Sequence, residues 1–479
     1  MNVSMKKTVT LLAILFSILL LSGCAPKEVL VKGDNYVAKG QYQKAAKLYE
    51  DAIDKGDRTQ RNNLLWYLNT GLSHRFDGNN SASIKAFDES EWLIKHFQEQ
   101  LIGSDVGQGA ASVLVNDTTR PYYGTQYDGV MANTYKALDY LAMGNPDSAR
   151  VEFNRAIDRQ RRAKAFYAKM ITKNRESIEA EEKKDGKGVN TDASMPEAEK
   201  GLKEKYPGLY NFEAYPDFIN PMVSYLAGIF AISQGDNPKA FGLLKEAYGM
   251  NQHNSYIAED LAYVDNLLDG KEVSTKPLVW IIIEDGLAPV KTEWRMDIPI
   301  WIFSSNLNYV SLALPRIHER TSAYDNYSVA LQDHVSQGSE LSNMDRVVMT
   351  EFKKEYPSIV RRAIFSATTK AIIQYEMQRQ AQNNDGKAGL AFALASIATT
   401  VYTVASAQAD TRTWTTLPKR FDLIRLERPE SGSIVIKTST GLSLPKITLP
   451  LTQHTLVYVK MATAGAKPSV TVIPMGRSL

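Results

Sequence analysis

The sequence predicts an α+β multidomain protein: an N-terminal α-solenoid of helical hairpins, then a C-terminal β-rich, sandwich-like domain with an inserted helical hairpin. Three observations predict it. In the first half, four glycines begin segments that share one residue spacing. Near residue 272 helical periodicity gives way to runs of β-branched and aromatic residues, and those runs bracket a stretch whose apolar residues recur at steps of three and four.

The shared spacing sets out the first half. Five residues after Gly40, Gly78, Gly144 and Gly235 stands a small residue (Ala45, Ser83, Ala149, Ala240). Nine after stands a bulky one (Tyr49, Phe87, Phe153, Leu244), and twelve after a small one again (Ala52, Ser90, Ala156, Ala247). Seven before lies Gly33, Gly71, Ala137 or Gly228. Small residues let two antiparallel helices approach, and the bulky residue fills the space between them. The pattern resembles the tetratricopeptide repeat. The glycines fall 38, 66 and 91 residues apart, against a repeat of about 34. The first two hairpins therefore stack directly, and insertions are expected at about 101–127 and 159–216.

The first insertion is rich in Gly, Asp, Thr and Tyr and reads as a long loop. The second opens on a basic helical surface (Arg159, Arg161, Arg162, Lys164, Lys169) and passes to a charged tip at 179–188, where acidic residues interleave. That mixture reads as a solvated helix and tip, with no footprint for nucleic acid. In tetratricopeptide proteins the first helix of each pair lines the concave face. The resemblance puts Met131, Thr134, Leu138 and Leu141 there in the third repeat, and Met222, Leu226, Ile229 and Ile232 in the fourth. It implies either a docking groove for a partner's helix or peptide or a face filled by the chain's own insertions. The second fits the rarity of large bare apolar patches on monomers.

Lys6 and Lys7, the uncharged run from Val9 to Leu21 and the ending Leu21-Ser22-Gly23-Cys24 form a secretory leader. Thirteen residues rise only about 20 Å, short of the ~30 Å bilayer core. The ending resembles the lipobox of bacterial lipoproteins. The resemblance implies that the Cys24 thiol takes a diacylglyceryl group, that residues 1–23 are removed, and that the new amino terminus is acylated, typically with palmitate. Ala25 and Pro26, rather than Asp, follow the cysteine. In that family this implies the outer membrane, facing the periplasm. Cys24 is the only cysteine, so no disulfide can form within the chain. The expected organisation is thus 1–23 leader, 24–271 repeat domain, and 272–479 β-rich domain with a helical insertion at about 344–409.

Strands are expected at 278–284, 298–303, 309–314, 421–426, 433–437, 455–461 and 470–474. Within the insertion, Val360, Ile364, Ala367, Ala371 and Tyr375 mark one buried helical face. A second helix, about 387–408, is uncharged from Ala388 to Ala409 and has one narrow bulky stripe (Leu390, Leu394, Ile397, Val401, Val404). This suits close packing in a buried hairpin; a self-association or lipid-contact surface is the alternative.

AlaAspThrArgThrTrpThrThrLeuPro at 409–418, with GluAspGlyLeuAlaProValLysThrGlu at 284–293, resembles a family of Gram-negative lipoproteins with tetratricopeptide repeats and a C-terminal β domain. That family lies near lipoprotein activators of peptidoglycan synthases, and no activity is attached to it. Within the motif, Asp410 and Arg412 are expected to pair or cap, and Trp414 to seal the sheet against the hairpin, or all three to form a recognition site.

Catalysis is not expected. Lipidation consumes the only thiol, and neither a GxSxG elbow nor a P-loop occurs. Ser443 and Lys446 match SxxK, but Pro445 breaks the helical turn that would aim one at the other. The six histidines (His74, His96, His253, His318, His334, His454) include no HExxH and no close pair, so no metal or other cofactor is expected. Loss of the leader lowers the net charge from +3 to +1, which again excludes nucleic acid as a partner. The reading is a non-catalytic, lipid-anchored scaffold or assembly factor of a cell-envelope machine (peptidoglycan synthesis, secretion, export or motility), with partner proteins or a second copy of the chain as its partners. The alternative is an envelope hydrolase using Glu284, Asp285 and Glu293.

Overall fold

The computed structural model describes residues 25–103, 118, 120–185, 190–299, 309–331, 334–383, 408–451 and 454–476. Four helical hairpins form the first half: α1 (Ala25–Ala38) with α2 (Tyr42–Ala52), α3 (Asn63–Phe76) with α4 (Asn80–Gly103), α5 (Gln126–Ala142) with α6 (Pro146–Asp185), and, after α7 (Thr191–Lys205), α8 (Pro221–Ser233) with α9 (Asn237–Met250). A further helix, α10 (Ser255–Leu268), follows the fourth pair.

The repeat spacing has a direct physical origin. Gly40, Gly78, Gly144 and Gly235 hold φ of 66°, 81°, 72° and 72°, where a side chain would be strained, and each reverses the chain between two helices. A Cβ on Gly71 would stand 2.8 Å from the Phe87 ring, and one on Gly228 2.9 Å from Leu244. The small residue seven before the turn and the bulky residue nine after it are therefore packing partners, and Tyr49, Phe87, Phe153 and Leu244 are all buried.

The second half is built on a five-stranded sheet in the order β12-β11-β1-β7-β6, made of β1 (Leu278–Asp285), β6 (Ser339–Asn343), β7 (Arg420–Glu427), β11 (His454–Met461) and β12 (Ser469–Met475). Central β1 runs parallel to β11 and antiparallel to β7. All eight of its residues are buried, which is why it reads as an unbroken apolar run rather than an alternating one. Successive side chains point to opposite faces. Trp280 and Ile282 join the repeat helices in one core cluster, whereas Val279, Ile281 and Ile283 join a second cluster beneath a layer of short strands. That layer contains β4 (Tyr327–Ala330), β5 (Val335–Gln337) and β9 (Ile436–Thr438), with the small pair β8 (Ser433–Ile434) and β10 (Ile447–Thr448) beside them. Beyond the sheet, a ribbon of β2 (Val290–Pro299) and β3 (Tyr309–His318) leans on α7 and on the long helix α11 (Met344–Asn383).

Several expectations shift. The strand expected from Ile298 is the end of β2, which starts at Val290; Trp301 to Phe303 lie outside the described residues. Strands β4 to β6 and β10 were not anticipated. In α11 burial covers more than the one expected face, since Phe365, Thr368 and Thr369 are buried as well as Val360 and Ile364. The leader and Cys24, the loop at 104–117, the tip at 186–189 and most of the uncharged stretch from Ala388 also lie outside the described residues.

One apolar cluster runs without a break from Leu30 through the repeat helices to Met475. The halves expected on either side of residue 272 thus share a core, because the sheet lays one whole face on the inner helices of the solenoid.

Candidate functional site

The residues expected to line an open groove are all buried: Met131, Thr134, Leu138 and Leu141, and Met222, Leu226, Ile229 and Ile232. All but Thr134 pack in the same cluster as Trp280, Leu423, Leu456, Tyr458 and Ile473 of the sheet. The groove is filled, and the filling is the C-terminal sheet rather than the insertions. A docking face at these positions is thereby corrected, since no partner can reach them while the sheet is seated.

The motif at 409–418 completes the filling. It runs as an irregular strap along the inner faces of the first three hairpins, and every residue from Arg412 to Leu417 is buried. Its side chains bond helix residues one after another. Arg412 donates to the Asn62 side chain at 3.0 Å, Thr413 meets the Tyr127 hydroxyl at 3.2 Å, and Thr415 donates to Asp34 at 2.6 Å. Thr416 donates to Asn69 at 2.8 Å and accepts from the Trp414 indole at 3.0 Å. Trp414 packs its ring 5.9 Å from Phe87 and 6.1 Å from Tyr135. It therefore packs against the repeat helices, whereas the expectation was that it seals the sheet against the inserted hairpin.

Asp410 and Arg412 do pair. The carboxylate accepts from the Arg412 backbone N–H at 3.0 Å and from its guanidinium at 2.9 and 2.7 Å. Burial pushes the Asp410 carboxyl up, but the Arg412 charge outweighs it and holds the group below the usual carboxylate range. Arg320 locks the other end of the strap. Its guanidinium bonds Asp34 at 2.6 Å, the Ala288 carbonyl at 2.5 Å and the Thr415 carbonyl. Burial still raises the Asp34 carboxyl, against the pull of Arg320.

The acidic candidates do not converge. Glu284 faces the repeats, accepting from Tyr135 at 2.8 Å and Tyr458 at 2.6 Å, with the Lys460 ammonium 3.8 Å away. Burial pushes Lys460 down to about 8, and it donates to the Gly286 carbonyl at 2.7 Å. Asp285 faces the opposite layer, accepting from Tyr327 at 2.5 Å and from the N–H groups of Ala323 and Tyr324 at 3.1 Å. Glu293 accepts the Ala409 N–H at 2.9 Å. Glu284 and Asp285 are fully buried on two faces of one strand, so they share no substrate and act as structural acceptors.

Other polar groups that join the halves gave no motif signal. Asp260 on α10 accepts from Tyr225 at 2.6 Å, from the Trp280 indole at 2.8 Å and from Arg425 at 2.6 Å. Glu351 on α11 caps α5, accepting the N–H groups of Gln126 and Tyr127 at 3.0 and 2.8 Å and the Tyr167 hydroxyl. Arg75 reaches the sheet through its guanidinium, 4.9 Å from the Tyr458 ring centroid, while it bonds Asp139 of the repeats at 2.5 Å, and burial pushes that carboxyl up to about 6. One signal was available: Asn62, at the N-cap of α3, and Asn69 within it stand seven residues apart, so both face the same side.

The tetratricopeptide repeat family profile matches residues 30–91, which span the first two hairpins. A crystal structure of a tetratricopeptide repeat protein from Parabacteroides merdae aligns with 51% of this chain and 100% of its own, at 14% identity and a TM-score of 0.14. No curated protein matches the chain. The chain carries tetratricopeptide-like repeats, an architecture suited to protein–protein interaction. Among the described residues no helix is long and apolar enough to cross a membrane.

Proposed function

We propose that this protein is a non-catalytic scaffold, lipid-anchored through Cys24 on the periplasmic face of the outer membrane, that holds protein partners of a cell-envelope machine. The lipobox resemblance at Leu21 to Cys24 supports the anchor, and Ala25 and Pro26 support the outer membrane. The observation that carries the scaffold reading is how the repeat surface is divided. Its inner face is sealed by the chain's own sheet and strap, so contacts with other proteins fall to the outer helices.

On that outer surface Trp92 is 38% exposed and held ready for contact. The Arg58 guanidinium lies 3.6 Å from its ring centroid, and His96 stacks on it at 5.1 Å with planes 6° apart. Arg58 is fixed in turn by Glu89 at 2.8 Å. An exposed tryptophan stacked with arginine is the residue chemistry that dominates binding energy at protein interfaces.

The test is photo-crosslinking in intact cells from a probe at position 92, with the still more exposed Val31 as control, followed by mass spectrometry. A defined envelope protein captured only from position 92 supports the reading; identical capture from both positions overturns it. For the anchor, acyl-label incorporation should vanish in Cys24→Ala, and equal labelling of wild type and variant would refute lipidation there.

A further inference from the structure

Helix α1 starts at Ala25, the residue after Cys24, so the proposed anchor joins a helix without a tether. The helix is fixed to the body. Leu30 and Val37 are buried, and a Cβ on Gly33 would stand 2.1 Å from the Tyr49 hydroxyl. Asp34 bonds Arg320 and Thr415, each at 2.6 Å, and the Ala38 carbonyl accepts from Thr463 at 2.6 Å. Its 14 residues rise about 20 Å, so all of α1 stays within that distance of position 24.

The opposite side of α1 is exposed and holds Lys27, Glu28, Val31, Lys32 and Asn35. Lys39 follows in the turn, where Lys467 lies beside Gly40 and is also exposed. Among the described residues none of these four lysines forms an ion pair, whereas Lys47 on the next helix pairs with Asp51 at 3.3 Å. Glu28 is the one acid among the exposed residues of α1, so four ammonium groups stand against one carboxylate. Val31, 55% exposed, sits among them. Lysines around an exposed apolar side chain, next to an acyl anchor, are the chemistry that adsorbs to anionic lipid headgroups. The potential of such a surface fades over about 8–10 Å in physiological salt. A helix standing upright would bring only Lys27 that close; one lying flat brings the whole row.

We propose that the exposed side of α1, with Lys39 and Lys467 at its end, lies flat on an anionic phospholipid surface, and that Val31 reaches in among the headgroups. Nearness of a bilayer rests on the anchor proposed at Cys24. One acyl chain alone holds a protein only marginally; the lysines supply a second attachment and set which side of the solenoid faces the membrane. Protein lacking Cys24 tests the lysine face by itself, so failure of the anchor and failure of the face are read separately.

Residues 25–479 include every described residue and no cysteine, so Val31→Cys carries a single environment-sensitive dye. Val335→Cys, at a 53% exposed position in the outer strand layer, is its control. Detergent-free protein is sedimented with vesicles of phosphatidylcholine alone, or of phosphatidylcholine and phosphatidylglycerol in equal parts. Each lysine near an anionic surface tightens adsorption roughly fivefold. Adsorption to the anionic vesicles should therefore exceed that to the neutral ones at least about tenfold and fall away in high salt. Lys27→Glu, Lys32→Glu and Lys39→Glu together should lower it at least about tenfold. Lys200→Glu, Lys203→Glu and Lys205→Glu make the same charge change at exposed positions of α7 and should leave it within about twofold. The dye at 31 should shift to the blue on anionic vesicles, and the dye at 335 should not. Equal adsorption to both kinds of vesicle, equal loss in the two triple variants, or a shift at 335 matching that at 31 overturns the proposal.

Discussion

Glu351 stands across the N-terminus of helix α5 and accepts the backbone N–H of Tyr127 at 2.8 Å, although 224 residues separate the two. A buried carboxyl group from the opposite half of the chain thus adds to the Thr125–Asp128 capping box of a repeat helix. Burial is the larger influence on its proton and pushes the group from 4.5 up to about 8. Between those values the folded chain keeps a proton that the unfolded chain has lost. Folding stability should therefore fall as pH rises from about 4.5 to 8, by a few kcal/mol from this group. Glu351→Gln keeps an oxygen acceptor for Tyr127 and should flatten that slope. Urea melts at pH 5.5 and 9 measure it; equal slopes in both proteins would assign the dependence elsewhere.

Trp414→Ala removes the largest side chain of the strap from between Phe87 and Tyr135. The loss is expected at roughly 3–5 kcal/mol, as for other large aromatic-to-alanine changes in a core. It should appear in denaturant melts as one earlier transition for the whole chain, since the strap touches repeats and sheet together. Two separated transitions would show that the strap serves one half only.

Residues 25–270 and 277–479, expressed apart, should each lack a cooperative unfolding transition. The reason is the continuous cluster from Leu30 to Met475 and the pairing of Asp260 with Trp280 and Arg425 across the division. Near-ultraviolet circular dichroism and urea titration of each piece, and of the two mixed, provide the check. A native-like melt from either piece alone contradicts the shared core.

Gly71→Ala should cost about 1–3 kcal/mol by overpacking against Phe87. Combined with Phe87→Leu, its cost should shrink, giving a non-additive cycle between touching residues. Thermal melts of the two single variants and the double variant measure it, and strict additivity would deny the contact.

The hairpins were legible because each needs the same few residues at the same offsets, and the Gly71–Phe87 and Gly228–Leu244 contacts are those offsets made physical. Strand β1 was legible because its composition has few other uses. What joins the halves was not, because a carboxylate such as Asp260 or Glu351 looks like any surface acid until its partners, distant in sequence, are in place. Glu284 and Asp285 stood out as a pair of acids, yet the strand's own alternation sends them to different layers. The motif around Trp414 is distinctive in sequence, but its neighbours are not legible there, since nothing local tells an extended segment which helices it will cross. Met131 and Leu226 lie on a face that is closed by a sheet synthesised later, which periodicity within the repeats does not report.

The strap also sets a schedule. Thr416 bonds Asn69 across 347 residues of chain, so at synthesis rates of about 5–20 residues per second the first hairpins wait roughly 20–70 s before their cover exists. Throughout that interval an apolar surface meant to be permanently dry faces whatever surrounds the growing chain. Variants that loosen the seal should consequently be noticed first as lower yield and greater dependence on holding chaperones, well before the finished protein shows any defect.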